Sequence, residues 1–424
     1  MKLPGHPDVA YRDGQLHLDD LPLRELAARF GTPLYAYSRR AMLAALAPYQ
    51  RALAGREHLI CYAMKANSNL AVLQTFAQAG CGFDIVSGGE LERVLAAGGD
   101  ARKVVFSGLG KTRAEMARAL EAGVRCFNVE SEPELEVLAE VARAHGTRAP
   151  VSLRVNPDVD AKTHPYISTG LKGNKFGVAH DRALHAYRRA AELPGLEVVG
   201  IDCHIGSQIT ESDPYLDAID RVLDLVEAIE SQGLRLHHLD LGGGLGITYT
   251  DEAPPAADAL IARMLERIDA RGHGHREIVL EPGRSLVGNA GVLLTEVLYL
   301  KSGEAKNFCV VDAAMNDLMR PAMYEATMAI VPATLRDAAP STYDVVGPIC
   351  ESGDWLGRDR ALAVQAGDLL AVLSAGAYGM SMASNYNSRG RAAEVLVDGD
   401  QAWLIRDRED PRALFAGEHL PPAR

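Results

Sequence analysis

Eight short apolar runs, separated by segments of helical periodicity, constrain this 424-residue chain more than any other feature. The runs are Leu59 to Met64, Gly82 to Val86, Lys103 to Ser107, Val124 to Val129, Val151 to Val155, Val198 to Cys203, Leu236 to Leu241 and Glu277 to Leu280. Between them lie helical stretches such as Glu90 to Leu95, Glu115 to Ala122, Glu132 to His145, Ala183 to Glu192 and Tyr215 to Gln232. Strands this apolar are buried on both faces, and strand–helix repetition with right-handed crossovers builds either a closed barrel or an open doubly wound sheet. Eight units match the closed form. The predicted fold class is therefore α/β, a TIM-like (β/α)8 barrel.

Such a barrel places its chemistry just past the C-terminal ends of the strands, with phosphate held after the seventh and eighth. Lys65 follows the first run, in Tyr62-Ala63-Met64-Lys65-Ala66-Asn67, and Asn67-Ser68-Asn69 caps a helix beginning at Leu70. Gly242-Gly243-Gly244-Leu245-Gly246 follows the seventh run and Glu281-Pro282-Gly283-Arg284 the eighth. Glycines let backbone N–H groups approach an anion, and arginine offers it a forked partner. Alone, a lysine at a strand end commonly snorkels to solvent, and a glycine run is commonly a turn. Their coincidence at one mouth argues for a ligand site. Asp84 lies within the second run, Arg154 and Asn156 close the fifth, and His204-Ile205-Gly206-Ser207 follows the sixth, which gives His204 a ligand-facing position and Ser207 a hydroxyl for phosphate. The His237-His238 pair and Gly272-His273-Gly274-His275 have no metal-ligand spacing and read as strand and turn residues, so no metal is expected.

The flanks read differently. Val9-Ala10-Tyr11 and Leu16-His17-Leu18 form a hairpin around Asp13-Gly14, Leu23 to Phe30 a short helix, and Leu34 to Tyr37 a strand, with Ser38 capping a helix through Arg51. Beyond Arg284 the chain turns β-rich, with strands expected at Gly291 to Leu300, Phe308 to Asp312, Tyr343 to Val346, Ala361 to Val364, Asp368 to Leu373, Glu394 to Val397 and Ala402 to Ile405. The expected domains are N-terminal strands (1–36) that join an all-β C-terminal domain (286–424), with the barrel at 37–285.

An excess of 56 acidic over 44 basic residues, a net charge of -12, does not favour nucleic acid or anionic membrane as a partner, and neither is expected. The first eight residues lack the apolar core of a signal peptide, and no run approaches the ~18 apolar residues of a membrane span, so a cytoplasmic location is expected. Six cysteines without a C-x-x-C pair argue against disulfides or zinc. Cys61, Cys126, Cys203 and Cys309 sit in apolar runs as small hydrophobes. Cys350 instead lies in polar loop sequence, after Gly347-Pro348 and before Glu351-Ser352-Gly353-Asp354.

A lysine, a phosphate cradle and an acid at one barrel mouth suit a phosphorylated aldehyde cofactor held by Lys65 as an imine, with pyridoxal 5'-phosphate the obvious candidate. Glu281 is placed to keep its ring nitrogen protonated. An aldolase-type lysine acting directly on a sugar phosphate is the alternative, though such barrels usually carry the lysine later and lack a large β domain.

The ordered series Tyr62 to Asn67, Phe83-Asp84, His204-Ile205-Gly206-Ser207-Gln208, Gly242-Gly243-Gly244, Glu281 to Arg284, Cys350 to Asp354 and Gly376-Ala377-Tyr378-Gly379 resembles the fold-type III pyridoxal-phosphate decarboxylases over nearly the whole chain. His164 to Gly170, with Lys175-Phe176-Gly177, and Cys350-Glu351-Ser352-Gly353-Asp354 are similar to the diaminopimelate branch. The resemblance implies decarboxylation of meso-2,6-diaminopimelate to L-lysine and CO2, the last step of lysine biosynthesis. It implies catalytic roles for Lys65, His204 and Cys350, with His204 stacked on the cofactor ring and Cys350 reprotonating the carbanion. It assigns cofactor binding to Lys65, Asp84, His204, Ser207, Gly243, Gly244, Glu281, Pro282, Gly283, Arg284 and Tyr378. Substrate binding falls to Arg284, Arg320, Tyr324, Glu351 and Tyr378, where Arg320 and Glu351 offer one charge of each sign to a distal amino-acid end. It further implies a head-to-tail homodimer in which Cys350 and Glu351 come from the partner subunit. A decarboxylase for arginine, ornithine, lysine or carboxynorspermidine would share the cofactor site and differ at the distal anchor. An alanine-racemase-like enzyme would carry a tyrosine in place of the Cys350 loop, and a non-catalytic relative would lose the lysine or phosphate contacts.

Overall fold

The computed structural model describes residues 3–5, 8–160 and 175–423, so the His164 to Gly170 stretch lies outside the described residues. The chain divides into two compact units, Leu43–Ile247 with Ala253–Leu286, and Met1–Met42 with Thr248–Glu252 and Val287–Arg424.

The first unit is the barrel. Its strands, in chain order, are His58–Ala63, Gly82–Ile85, Val104–Phe106, Cys126–Val129, Ala149–Asn156, Leu196–Asp202, His238–Asp240 and Glu277–Leu280, each paired in parallel with the next. The sheet closes where Ile278, Val279 and Leu280 pair with His58, Leu59 and Ile60. Closure explains the uninterrupted apolar runs: neither face meets water, and no edge is left to protect. Leu59, Cys61, Val105, Cys126 and Val279 fill the interior as one buried cluster. Local signals set the helix starts. Asn69, Ser87 and Ser131 each accept a backbone N–H two or three residues on, and Thr112 and Glu115 form a reciprocal capping box. A two-residue strand, Val178–Ala179, runs beside Val155 and Asn156.

The second unit is β-rich. Its main sheet runs Trp355–Leu362, Ser341–Val346, Phe308–Val311, Gly291–Lys301, Leu34–Ser38, Ala393–Asp398 and Gln401–Arg406, while Leu369–Val372 pairs with both Gly291–Lys301 and Ile330–Pro332. Val9–Arg12, Gln15–Leu18 and Leu21–Pro22 make a separate three-stranded sheet, so the expected hairpin gains a third strand. Leu16, Leu18, Leu23, Leu34, Val292, Leu294, Ala371 and Val395 share one core cluster, each full-sized side chain contributing about 1.5–3 kcal/mol on burial. Ser38 caps as expected, its Oγ accepting the Ala41 N–H at 2.9 Å.

One expectation in this region shifts, and one strand was not anticipated. The strand expected at Ala361 to Val364 is instead Trp355–Leu362, because its register with Ser341–Val346 needs Gly357 to Arg360, which the charged residues obscured. Ile330–Pro332 carried no signal at three residues ending in proline.

Candidate active site

Lys65 stands on a single 3-10 turn, Met64–Ala66, directly after the first barrel strand. The turn lifts its amine to the mouth, where it pairs with Asp84 Oδ2 from the second strand; the lysine side chain is 36% exposed and that of Asp84 0%. The other oxygen, Asp84 Oδ1, is buried with no hydrogen-bond partner among the described residues. This is no snorkelling lysine, since its charge is directed at a buried carboxylate.

The sixth, seventh and eighth strands bring three buried carboxylates together. Asp202, Asp240 and Glu281 have oxygens that all lie within 4.8 Å of one another. Asn128 Nδ2 donates to Asp240 Oδ2 at 3.4 Å and Glu281 Oε1 at 3.5 Å, and the Gly242 N–H donates to Asp240 Oδ1 at 3.0 Å. Burial and mutual repulsion push the Glu281 and Asp202 carboxyls well above the ordinary range, and burial pushes Asp240 up to about 6. Sequence reading named Glu281 and missed Asp202 and Asp240. The available signal was an aspartate at the last position of two strands, Leu196–Asp202 and His238–Asp240, at the same end of the barrel as Lys65 and Glu281.

The glycine loops serve as contact surfaces. A Cβ at Gly243 would fall on the carbonyl oxygen of Glu281, and Gly244 holds φ +101° with the Gly206 carbonyl against it. The Gly243 N–H donates to His204 Nδ1 at 3.2 Å, which makes that nitrogen the acceptor and leaves the proton of the neutral ring on Nε2. Burial, with Arg154 and Lys65 nearby, holds the His204 pKa well below its ordinary value, so the ring is neutral. Ser207 Oγ accepts from Arg284 Nη2 at 2.9 Å and Nε at 3.4 Å. Pro282 and Gly283 carry the loop back against the first strand, where the Ala63 N–H donates to the Pro282 carbonyl at 3.0 Å. Arg154, from the fifth strand, pairs with Glu130 at 3.5 Å and stacks over Phe176 at 5.0 Å.

The residues present fit pyridoxal phosphate. Lys65 is already paired with Asp84 and Arg154 with Glu130, while Glu281 is crowded by Asp202 and Asp240, and a protonated pyridine would offer it a cationic partner. Ser207, Arg284 and the glycine-loop amides are the donor set a phosphate requires.

The structure thus brings together Lys65, Asp84, His204, Ser207, Gly243, Gly244, Glu281, Pro282, Gly283 and Arg284. The remaining sequence-derived residues belong to the β-rich unit. Arg320 and Tyr324 sit one turn apart on the helix Arg320–Tyr324, and the buried Arg320 guanidinium lies 4.8 Å from the Tyr249 ring centroid. Cys350 and Glu351 occupy an exposed loop, and Tyr378 is half-buried with φ 53°. All six cysteines are free, and the five others are buried.

Residues 39–288 match the family described as "Pyridoxal-dependent decarboxylase, pyridoxal binding domain". A diaminopimelate decarboxylase of Pseudomonas aeruginosa is 61% identical over 413 residues, covering 97% of this chain and 99% of its own. One from Aquifex aeolicus is 47% identical over 96% of both chains. Among solved structures, the diaminopimelate decarboxylase of M. jannaschii in complex with L-lysine superposes with a TM-score of 0.95 at 40% identity, covering 99% of each chain. The Helicobacter pylori enzyme with L-lysine gives 0.89 at 41%, covering 93% of this chain and 99% of its own.

Proposed function

The chain belongs to the pyridoxal-dependent decarboxylases and is a carboxy-lyase that converts meso-2,6-diaminopimelate to L-lysine and CO2; on that premise we propose a division of labour among its residues. When bound, pyridoxal 5'-phosphate supplies an electron-accepting aromatic aldehyde. Everything else is the work of side chains.

Lys65 anchors the cofactor and yields to the substrate amine, and its pairing with Asp84 keeps the amine at the mouth before loading. Glu281 would hold the pyridine nitrogen, since its crowding by Asp202 and Asp240 makes a cationic partner favourable there. His204, neutral and fixed by Gly243, would support the cofactor ring. Ser207, Gly243, Gly244 and Arg284 would hold the phosphate, together with Tyr378. Arg320 and Glu351 recognise the distal carboxylate and ammonium, and Tyr324, Tyr378 and Arg284 complete the substrate contacts. This two-sign anchor discriminates against ornithine and lysine, which lack the second carboxylate. Cys350 delivers the proton that replaces CO2. Cys350 and Glu351 reach the site from the partner subunit of a head-to-tail homodimer. A cytoplasmic setting suits six free thiols, and no helix among the described residues is long and apolar enough to cross a membrane.

The observation that carries this reading is Lys65 paired with a buried carboxylate at the end of the first barrel strand, in a chain 61% identical to a diaminopimelate decarboxylase. Protein loaded with the cofactor and given meso-diaminopimelate, lysine, ornithine or arginine separately is expected to release CO2 from the first alone. Release only from one of the others would sink the assignment of the distal anchor.

A further inference from the structure

We infer that Asn387 is a positioning residue for Cys350, setting the direction from which the proton arrives; the inference rests on the reading of Cys350 as proton donor. Within its own chain Cys350 is exposed, so its own subunit fixes the thiol through the backbone rather than through packing. With a single side-chain torsion, the place of Sγ follows from the backbone that carries it. That backbone is pinned at two consecutive amides by two side-chain oxygens from different directions. The Ile349 N–H donates to Asp354 Oδ2 at 2.7 Å, and the Cys350 N–H donates to Asn387 Oδ1 at 2.8 Å.

Both acceptors are themselves held. Asp354 is buried, and its other oxygen takes the Met315 N–H at 2.7 Å. Asn387 sits in the left-handed region at φ 56°, ψ 29°, a conformation that asparagine tolerates better than most residues. The turn around it is fastened on both sides. The Ser388 N–H donates to the Asn385 carbonyl at 2.8 Å, and Asn385 Nδ2 donates to the Arg389 carbonyl at 2.9 Å and Glu409 Oε2 at 2.7 Å. Arg389 Nη2 in turn donates to the Asp312 carbonyl at 2.7 Å. Asp354 can thus hold the loop in place while Asn387 sets the residue that carries the thiol. A misplacement of about 1 Å in a reacting group costs on the order of 100-fold.

In turnover the C–C bond to the carboxylate breaks, its electron pair stays on carbon as CO2 departs, and a new C–H bond forms with the thiol proton. The resulting thiolate regains a proton from water. In 2H2O the exchanged thiol therefore places one deuterium on the new CH2 of lysine, in one prochiral position. Two variants separate position from folding. Asn387→Gly removes the acceptor and keeps the left-handed backbone; Asn387→Asp keeps both. We expect Asn387→Gly to lower kcat about 10- to 100-fold with KM within twofold, and to distribute deuterium over both prochiral positions. Asn387→Asp is expected to restore a single labelled position. Because label purity is read per turnover, a partly unfolded sample does not alter it. Wild-type kcat and label purity in Asn387→Gly, with both lost in Cys350→Ala, would overturn the positioning role alone. So would a slow Asn387→Gly whose label stays pure. Cys350→Ala with undiminished rate and pure label would remove the proton donor, and the inference with it.

Discussion

At the barrel mouth, buried carboxylates press on one another or on a half-buried lysine: Glu281 on Asp202 and Asp240, and Asp84 on Lys65. In the β-rich unit, Cys350 and Glu351 are exposed, and what is fixed there is the loop backbone, through Asp354 and Asn387. The first arrangement tunes ionisation by taking charges out of water. The second controls where each group stands, through the backbone that carries it. Changes at the mouth should therefore alter charge balance, cofactor spectrum and stability together, whereas changes in the loop should alter rate or KM with little effect on folding.

The sharpest way to break that contrast is Lys65→Ala. We expect CO2 release to fall at least ~10³-fold, and the near-visible absorbance of the bound cofactor to lose its sensitivity to borohydride. Activity within tenfold of wild type would end the anchoring role. A smaller effect is expected from Arg320→Ala, which should raise KM for diaminopimelate by about 10- to 100-fold, the worth of one charged hydrogen-bonding partner, while the cofactor spectrum is retained. Because the guanidinium is buried beside Tyr249, Arg320→Lys, which keeps the charge and much of the stem, serves as the folding control. An unchanged KM in both would remove Arg320 from the specificity site.

The smallest expected effect is also the most specific to the mouth. The Asp240 carboxyl, pushed up to about 6 by burial, binds its proton more tightly in the folded chain than in the unfolded one. Its contribution to stability is thus complete below the ordinary carboxyl range, near 4, and lost as pH rises through about 6. In the cofactor-free protein, Asp240→Asn should raise Tm at pH 7.5 by about 2–4 °C and leave it nearly unchanged at pH 4, as scanning calorimetry would record. Equal losses at both pH values would show that repulsion within the trio costs the fold nothing.

Much of this was legible in the residues. A strand buried on both faces declares itself by composition alone, which is why Leu59 to Met64 and its seven counterparts could be counted and their C-terminal residues placed at one mouth. Strands with one solvated face are harder: Trp355–Leu362 carries Arg358, Asp359 and Arg360, and reads as loop until its register with Ser341–Val346 is known. Asp202 and Asp240 were hidden for another reason. Each is an acid near the end of its run, and only the closed barrel sets them beside Glu281. Asn387 was invisible because its bond to Cys350 joins loops 37 residues apart.

The strand Leu34–Ser38 has a further consequence, concerning the order in which the chain is made. It is buried at every position and lies between Gly291–Lys301 on one side and Ala393–Asp398 on the other. On the ribosome it emerges before every barrel strand, and both of its neighbours emerge after them. The barrel strands, spanning residues 58–280, can all pair before either partner exists. Until Ala393–Asp398 has been made, this strand keeps an open hydrogen-bonding edge, and any chain cut short before residue 393 leaves that edge exposed to its neighbours.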